Sequence, residues 1–299
     1  MPLPKSPSAL RKRIAELVGW PQEPLAAHVE TRERRRVQGA VVEELLLDGR
    51  IPGTLIRPEG DGPFPAVLYC HAHGGRHERG RSELMAGAKS LYSPWGPQLA
   101  ALGFVALSID MPSFGERQGE GPEGALAKAH HWRGDTLYGA MLRELSGALG
   151  ALAARPEVDA SRLVALGLSM GASHAFWLGA LDRRVSGVVQ LCVMADMGPL
   201  IDSGAHDLHA PYLTVPGLLA VAEIGDVAGL VAPRPQFIAH GADDPLTPQG
   251  AREGALARVR AAYGGEGAEL TSHLEPNSGH VETEGMRRAA LNFLGNFVH

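Results

Sequence analysis

Ser169 lies in the run Gly167-Leu168-Ser169-Met170-Gly171, after an apolar strand (Leu163–Leu166) and directly before a helical pattern. A side chain at the tip of a strand-to-helix turn is held in strained backbone, and the residues two positions away must be tiny to avoid collision. Gly167 and Gly171 meet that need. The helix that begins after Ser169 also aims its first amides at the same place, where developing negative charge would be stabilised. Ser173 is the competing hydroxyl, but it lies one turn inside the helix.

A serine hydroxyl is a weak nucleophile and needs a general base held by a carboxylate. Downstream, the strand Gln236–Ala239 ends in His240-Gly241-Ala242-Asp243-Asp244-Pro245. A carboxylate there stands at the carboxyl end of a sheet strand, the same edge that displays Ser169. Farther on, Glu275-Pro276-Asn277-Ser278-Gly279-His280 places His280 on a turn before the last helical pattern. The chemistry-bearing residues therefore follow in the order Ser, Asp, His. His240 ends a buried strand and is expected to make a structural hydrogen bond.

His71, His73 and His77 offer a competing chemistry, because alternating histidines at a strand end can bind zinc. No acidic residue lies between His73 and His77, and no second His/Asp set has compatible spacing. No metal is expected on that count, and His71 reads as a buried residue orienting its loop. No G-x-G-x-x-G directly follows a strand and no G-x-x-x-x-G-K-[ST] occurs, so no cofactor is expected.

The 299 residues are 44% hydrophobic and 20% charged, enough to bury a large core. A net charge of −5 argues against a nucleic-acid surface. Two cysteines, Cys70 and Cys192, are too few for a disulfide framework and read as small core residues in a reducing, cytoplasmic setting. No apolar segment follows the basic residues near the N-terminus as a secretory signal requires, and apolar stretches such as Leu99–Ile109 fall short of a bilayer span. The expected partner is a small molecule, with no nucleic acid and no membrane; self-association is left open.

The elements that must position these residues can also be read. Ser6 caps a short helix with Pro7 at its first position, and Leu10, Ile14 and Leu17 repeat along one face. The basic run Arg32–Arg36 reads as a solvated face. Strands are expected at Val41–Leu47, Gly53–Arg57, Ala66–His71, Phe104–Ile109, Leu163–Leu166, Gly187–Val193, Gln236–Ala239 and Ala268–Leu274. Helical stripes run through Ala140–Arg155 (Leu142, Leu145, Leu149, Leu152), through Pro248–Tyr263 (Leu256, Val259), and through Met286, Ala290, Phe293 and Phe297. A hairpin followed by strands alternating with helices implies an α/β fold: a mostly parallel, eight-stranded sheet with helices on both faces. The division expected is an N-terminal helical extension over 1–40 and one catalytic domain over 41–299.

Several motifs in this order give the chain its resemblance to the α/β-hydrolases, specifically the serine esterases near acetyl xylan esterases, dienelactone hydrolases and acylaminoacyl-peptidases. The carriers are Pro65–His71, Gly103–Asp110, Arg155–Asp159, Ala232–Pro235, the elbow around Ser169, His240–Pro248 and Ser278–His280. The resemblance implies Asp244, the Asp of G-x-x-D, as the acid, with Asp243 an exposed turn residue. It implies an oxyanion hole made by the amides of Met170 and His73. Ala72 stands where the family usually has Gly, and Ala tolerates positive φ poorly. Dienelactone hydrolases carry Cys where this chain has Ser169.

Loops over 74–95, 111–135 and 195–229 are expected to rise over the site. Trp95, His131 and Trp132 are candidate pocket residues, with Asp207, His209 and Tyr212 on the third loop. No long helical insertion marks a large lid, which implies an open, shallow site for small or medium acyl groups. The activity implied is that of a carboxylesterase. Two alternatives stand beside it: a peptidase of the acylaminoacyl or prolyl-oligopeptidase type, and a non-catalytic binding protein on a hydrolase scaffold.

Overall fold

A computed structural model describes residues 6–265, 267 and 269–298. Among the described residues nine strands form one sheet: β1 (Val29–Val37), β2 (Ala40–Leu47), β3 (Ile51–Pro58), β4 (Phe64–Cys70), β5 (Val105–Ile109), β6 (Val158–Leu168), β7 (Gly187–Leu191), β8 (Gln236–Gly241) and β9 (Leu270–Glu275). The same residues form the helices α1 (Pro7–Leu17), α2 (Glu83–Ala86), α3 (Trp95–Ala101), α4 (Glu123–Trp132), α5 (Leu137–Ala153), α6 (Met170–Leu181), α7 (Met197–Ser203), α8 (Ile224–Gly229), α9 (Gln249–Tyr263) and α10 (Glu284–Gly295). Residues 1–5 and 299 of the two expected segments, and residue 268 of the last expected strand, lie outside the described residues.

The strand order is β1-β2-β3-β5-β4-β6-β7-β8-β9, antiparallel up to β5 and parallel from β5 onward. The chain moves outward from β4 to β5 and then returns past β4 to β6. The loops after β4 and β6 therefore diverge at a switch in strand order, where open α/β sheets place their ligands.

Side-chain alternation splits the apolar residues between two faces. Ala66, Leu68 and Cys70 of β4 join a core with α1, α5, α6 and α8, whereas Val67 and Tyr69 join one with α2, α3 and α10. Burial on both faces is why these strands read as continuous apolar runs.

The ninth strand is the one the charge pattern concealed. Val29–Val37 contains the basic run and is exposed along almost its whole length, as a solvated face should be. It nevertheless pairs antiparallel with β2, and Arg34 meets Glu43 at 3.1 Å while Arg35 meets Glu44 at 3.4 Å. The count of eight strands is corrected to nine. The first 40 residues supply this strand as well as the α1 helix.

Candidate active site

The elbow is fixed by sterics. Ser169 has φ 56° and ψ −119°, a left-handed backbone at the junction of β6 and α6. A Cβ on Gly171 would lie 1.8 Å from the Cys70 carbonyl oxygen, and one on Gly167 would lie 2.3 Å from the carbonyl carbon of Gly171. Both distances are impossible, so the turn tolerates only glycine at both positions. Ser173 is buried and donates to the Met170 carbonyl at 2.7 Å.

Asp244 and His280 reach this serine from the ends of β8 and β9. His280 Nε2 stands 2.8 Å from Ser169 Oγ, and His280 Nδ1 stands 2.8 Å from Asp244 Oδ2. The other Asp244 oxygen accepts the Leu246 amide at 2.9 Å, which aims the buried carboxylate. Asp243 points outward and is exposed. Gly241 allows the two loops to touch, since a Cβ there would lie 2.2 Å from the Gly279 carbonyl oxygen. Beyond His280, the buried Arg287 pairs with Glu282 at 2.6 Å and stacks 3.8 Å over Trp95, which anchors the turn to α3.

His240 and His174 take no part in that chain. Among the described residues neither of these buried rings has a hydrogen-bond partner, so the bond expected for His240 is not found there. Burial, with Arg252 nearby, pushes His240 down to about 3, and burial likewise pushes His174 to about 3. Both are neutral packing rings. Burial also pushes the Cys192 thiol up to about 12 and raises Cys70, leaving both protonated.

The loop after β4 is organised by polar side chains from elsewhere. Glu83, buried on α2, accepts the Tyr69 hydroxyl at 2.7 Å and the Ala72 amide at 2.9 Å. His71 donates through Nδ1 to the Ala72 carbonyl and accepts the Met111 amide through Nε2. Burial lowers its pKa, consistent with this neutral tautomer. Positive φ falls on Gly74 and Gly75, not on Ala72, so an alanine is accommodated there without strain. His73 Nε2 meets Glu123 Oε2 at 2.8 Å, and the other Glu123 oxygen accepts the Tyr212 amide at 3.2 Å. Glu83 and Glu123 carry no local signature, because each acts on residues 11 to 89 positions away.

Residues 195–229, expected as a loop over the site, fold over the cleft as α7, three short 3-10 turns and α8. They leave a cavity of about 30 Å³ beside Ser169, walled by Met197, Leu200, His209, Tyr212 and Leu213. The site is narrow on this side rather than open and shallow. A second cavity of about 440 Å³ lies within the cover and shares Met197, His209 and Leu213 as walls; Asp207 faces that one. On the opposite side of His280 a cavity of about 370 Å³ is bordered by His73, Arg76, Arg79 and Lys89.

Three expected pocket residues are elsewhere. Trp95 is fully buried in the core against Arg287, Trp132 is 91% exposed on the surface, and His131 is held near the Thr214 carbonyl at 3.4 Å. None borders the cavity beside Ser169. Their loops form helices α3 and α4, whose packing decides where each ring points. Of the residues expected on the third loop, His209 and Tyr212 do border it.

No model of a known protein family matches the chain. It is 34% identical over 295 residues to YtaP of Bacillus subtilis (strain 168), named as a hydrolase; the match covers 96% of this chain and 98% of that one. The chain therefore belongs with YtaP in one family of hydrolases, built on the α/β-hydrolase fold. It is 26% identical over 253 residues to the esterase FrsA of Klebsiella pneumoniae (strain 342), covering 75% of this chain and 53% of that longer protein. Among solved structures, the glucuronoyl esterase from Solibacter usitatus superposes with a TM-score of 0.72 at 15% identity, over 99% of this chain and 92% of the other. That likeness establishes the shared fold.

Proposed function

We propose that the protein hydrolyses carboxylic esters through an acyl-enzyme on Ser169, and that the observation carrying this reading is the continuous Ser169–His280–Asp244 chain at 2.8 Å per link. His280 takes the hydroxyl proton as Ser169 attacks the carbonyl carbon, and Asp244 holds the resulting imidazolium. The amides of Met170 and His73 receive the oxyanion, each contributing about 3 kcal/mol. The Ala72 amide is already committed to Glu83, which leaves the next amide in the loop for this role. His280 then protonates the departing alcohol, and water releases the acyl group by the same steps in reverse.

The two unequal cavities support a division of the ester between them. The 30 Å³ space beside Ser169 suits a small acyl group, and the 370 Å³ space beyond His280 accommodates a larger alcohol. FrsA, named as an esterase, supports ester over amide chemistry. We also place the protein in the cytoplasm as a single catalytic unit from residue 41 with the first 40 residues as an extension. Two buried free thiols support a reducing compartment, and among the described residues no helix is long and apolar enough to cross a membrane.

The test is turnover of p-nitrophenyl acetate, butyrate and octanoate by the wild type and by Ser169→Ala. We expect acetate to be the best substrate and the variant to lose about 10⁶-fold in kcat. Equal slow rates for both proteins would overturn the serine mechanism. Faster cleavage of the matching acyl amide would favour a peptidase, and no reaction of Ser169 with a fluorophosphonate would favour a binding protein.

A further inference from the structure

We propose that His73, His77 and Glu123 form a binding site for one divalent transition-metal cation of the zinc type. One ligand atom from each lies within 4.8 Å of those of the other two. Sequence spacing cannot reveal the set, because the carboxylate comes from the start of α4, 46 residues beyond the second histidine.

Two of the three ligands, His77 and Glu123, are already oriented by an outer partner, as metal-binding side chains usually are. His77 Nδ1 donates to the Ser113 carbonyl at 3.0 Å, which fixes the tautomer and leaves the Nε2 lone pair for a cation. The ring is stacked on Phe114 at 4.4 Å, so it cannot swing freely. Glu123 is held through Oε1 by the Tyr212 amide. Its carboxylate is buried, and among the described residues no Lys or Arg pairs with it; His73 is its hydrogen-bond partner. A buried carboxylate of this kind gains from a cation that shares it.

Two histidines and a glutamate are a ligand set zinc uses where one coordination position stays open to water. Bonds of about 2.0–2.2 Å put tetrahedral ligand atoms roughly 3.4 Å apart. The 2.8 Å separation of His73 Nε2 and Glu123 Oε2 therefore widens slightly while His77 closes in. Binding through Nε2 shifts the His73 ring proton from Nε2 to Nδ1, so no net proton is lost from that ring. The Gly75 amide, which now donates to Nδ1 at 3.1 Å, turns to solvent from an exposed position. A cation held here would tie together the loop carrying the His73 amide, helix α4 and the Tyr212 segment. Ester hydrolysis is not a premise of this inference.

The full-length protein, stripped with a chelator and dialysed, is titrated with Zn²⁺ against a chromophoric chelator. The expected result is one equivalent bound per chain, with a saturating rise in Tm. His77→Gln should weaken uptake at least about 10-fold and abolish the Tm rise, while His131→Gln, outside the cluster, leaves both unchanged. Glu123→Gln also disturbs the Tyr212 amide, so the half-exposed His77 provides the deciding variant, with its fold checked by circular dichroism. No stoichiometric uptake by the wild type, or undiminished uptake by His77→Gln, would overturn the site and leave the three residues as a loop brace only.

Discussion

The elbow after β6 and the loop after β4 lie side by side on one sheet edge, and each supplies one proposed oxyanion amide. They are fixed by opposite means. Around Ser169 the backbone itself decides: two glycines are the only residues that fit, and the close contacts are with main-chain atoms of Cys70, His71 and Gly171. Around His73 the backbone has ordinary freedom apart from Gly74 and Gly75, and distant carboxylates hold it through Glu83 and Glu123. Steric fixing is local and leaves a spacing in the sequence. Polar fixing is long-range and leaves none.

The sharpest way to break the contrast is at the elbow. Gly171→Ala puts a methyl into the Cys70 carbonyl, and we expect a loss of about 4 kcal/mol or more in urea unfolding, or failure to fold, since β4 and α6 must separate. A stable, fully active alanine variant would show the elbow to be softer than its contacts require. At the other loop the fold should survive while the chemistry suffers. Glu83→Ala frees the Ala72 amide and should lower kcat about 10²-fold with KM nearly unchanged, with most of it restored by Glu83→Gln. A proportional loss in KM would mean that the loop binds ground state and transition state alike.

The smallest effect concerns the buried rings behind both loops. His240 takes a proton at about 3 in the folded protein but near 6.5 once unfolded. The unfolded state therefore binds the proton first, so stability is full above about pH 6.5 and falls as the pH drops from there toward 3. The slope is about 1.4 kcal/mol per pH unit for each such ring. His240→Leu should remove that much of the slope between pH 6.5 and 4, measured by urea midpoints; an unchanged slope would mean that another group sets it.

The same contrast explains what could be read beforehand. Ser169, Asp244 and His280 stood out because the turns that carry them need particular residues at particular distances, and the parallel core stood out as apolar runs. The choice of Asp244 over Asp243 came from a family pattern rather than from local chemistry. Trp95 and Trp132 misled because a large ring signals contact with something, while the sequence does not say with what; one meets Arg287 and the core, the other water. Glu123 was invisible because its partners, His73 and Tyr212, are brought to it only by the packed fold. The strand β1 was hidden for a related reason: its charges were read correctly as solvated, but solvation of the side chains says nothing about the pairing of the backbone.

That strand also determines how the sheet meets its surroundings. An open sheet ends in unpaired amides and carbonyls that any other extended chain could extend. Here one end of the sheet is a ribbon of Glu30, Arg32, Glu33, Arg34, Arg35 and Arg36, nearly all of it in water. A second copy approaching along that border would have to strip water from these charged side chains, whose arginines already pair with Glu43, Glu44, Glu59 and Glu116. The border thus acts as a hydrated margin that keeps a large, apolar-cored sheet from growing sideways into its neighbours.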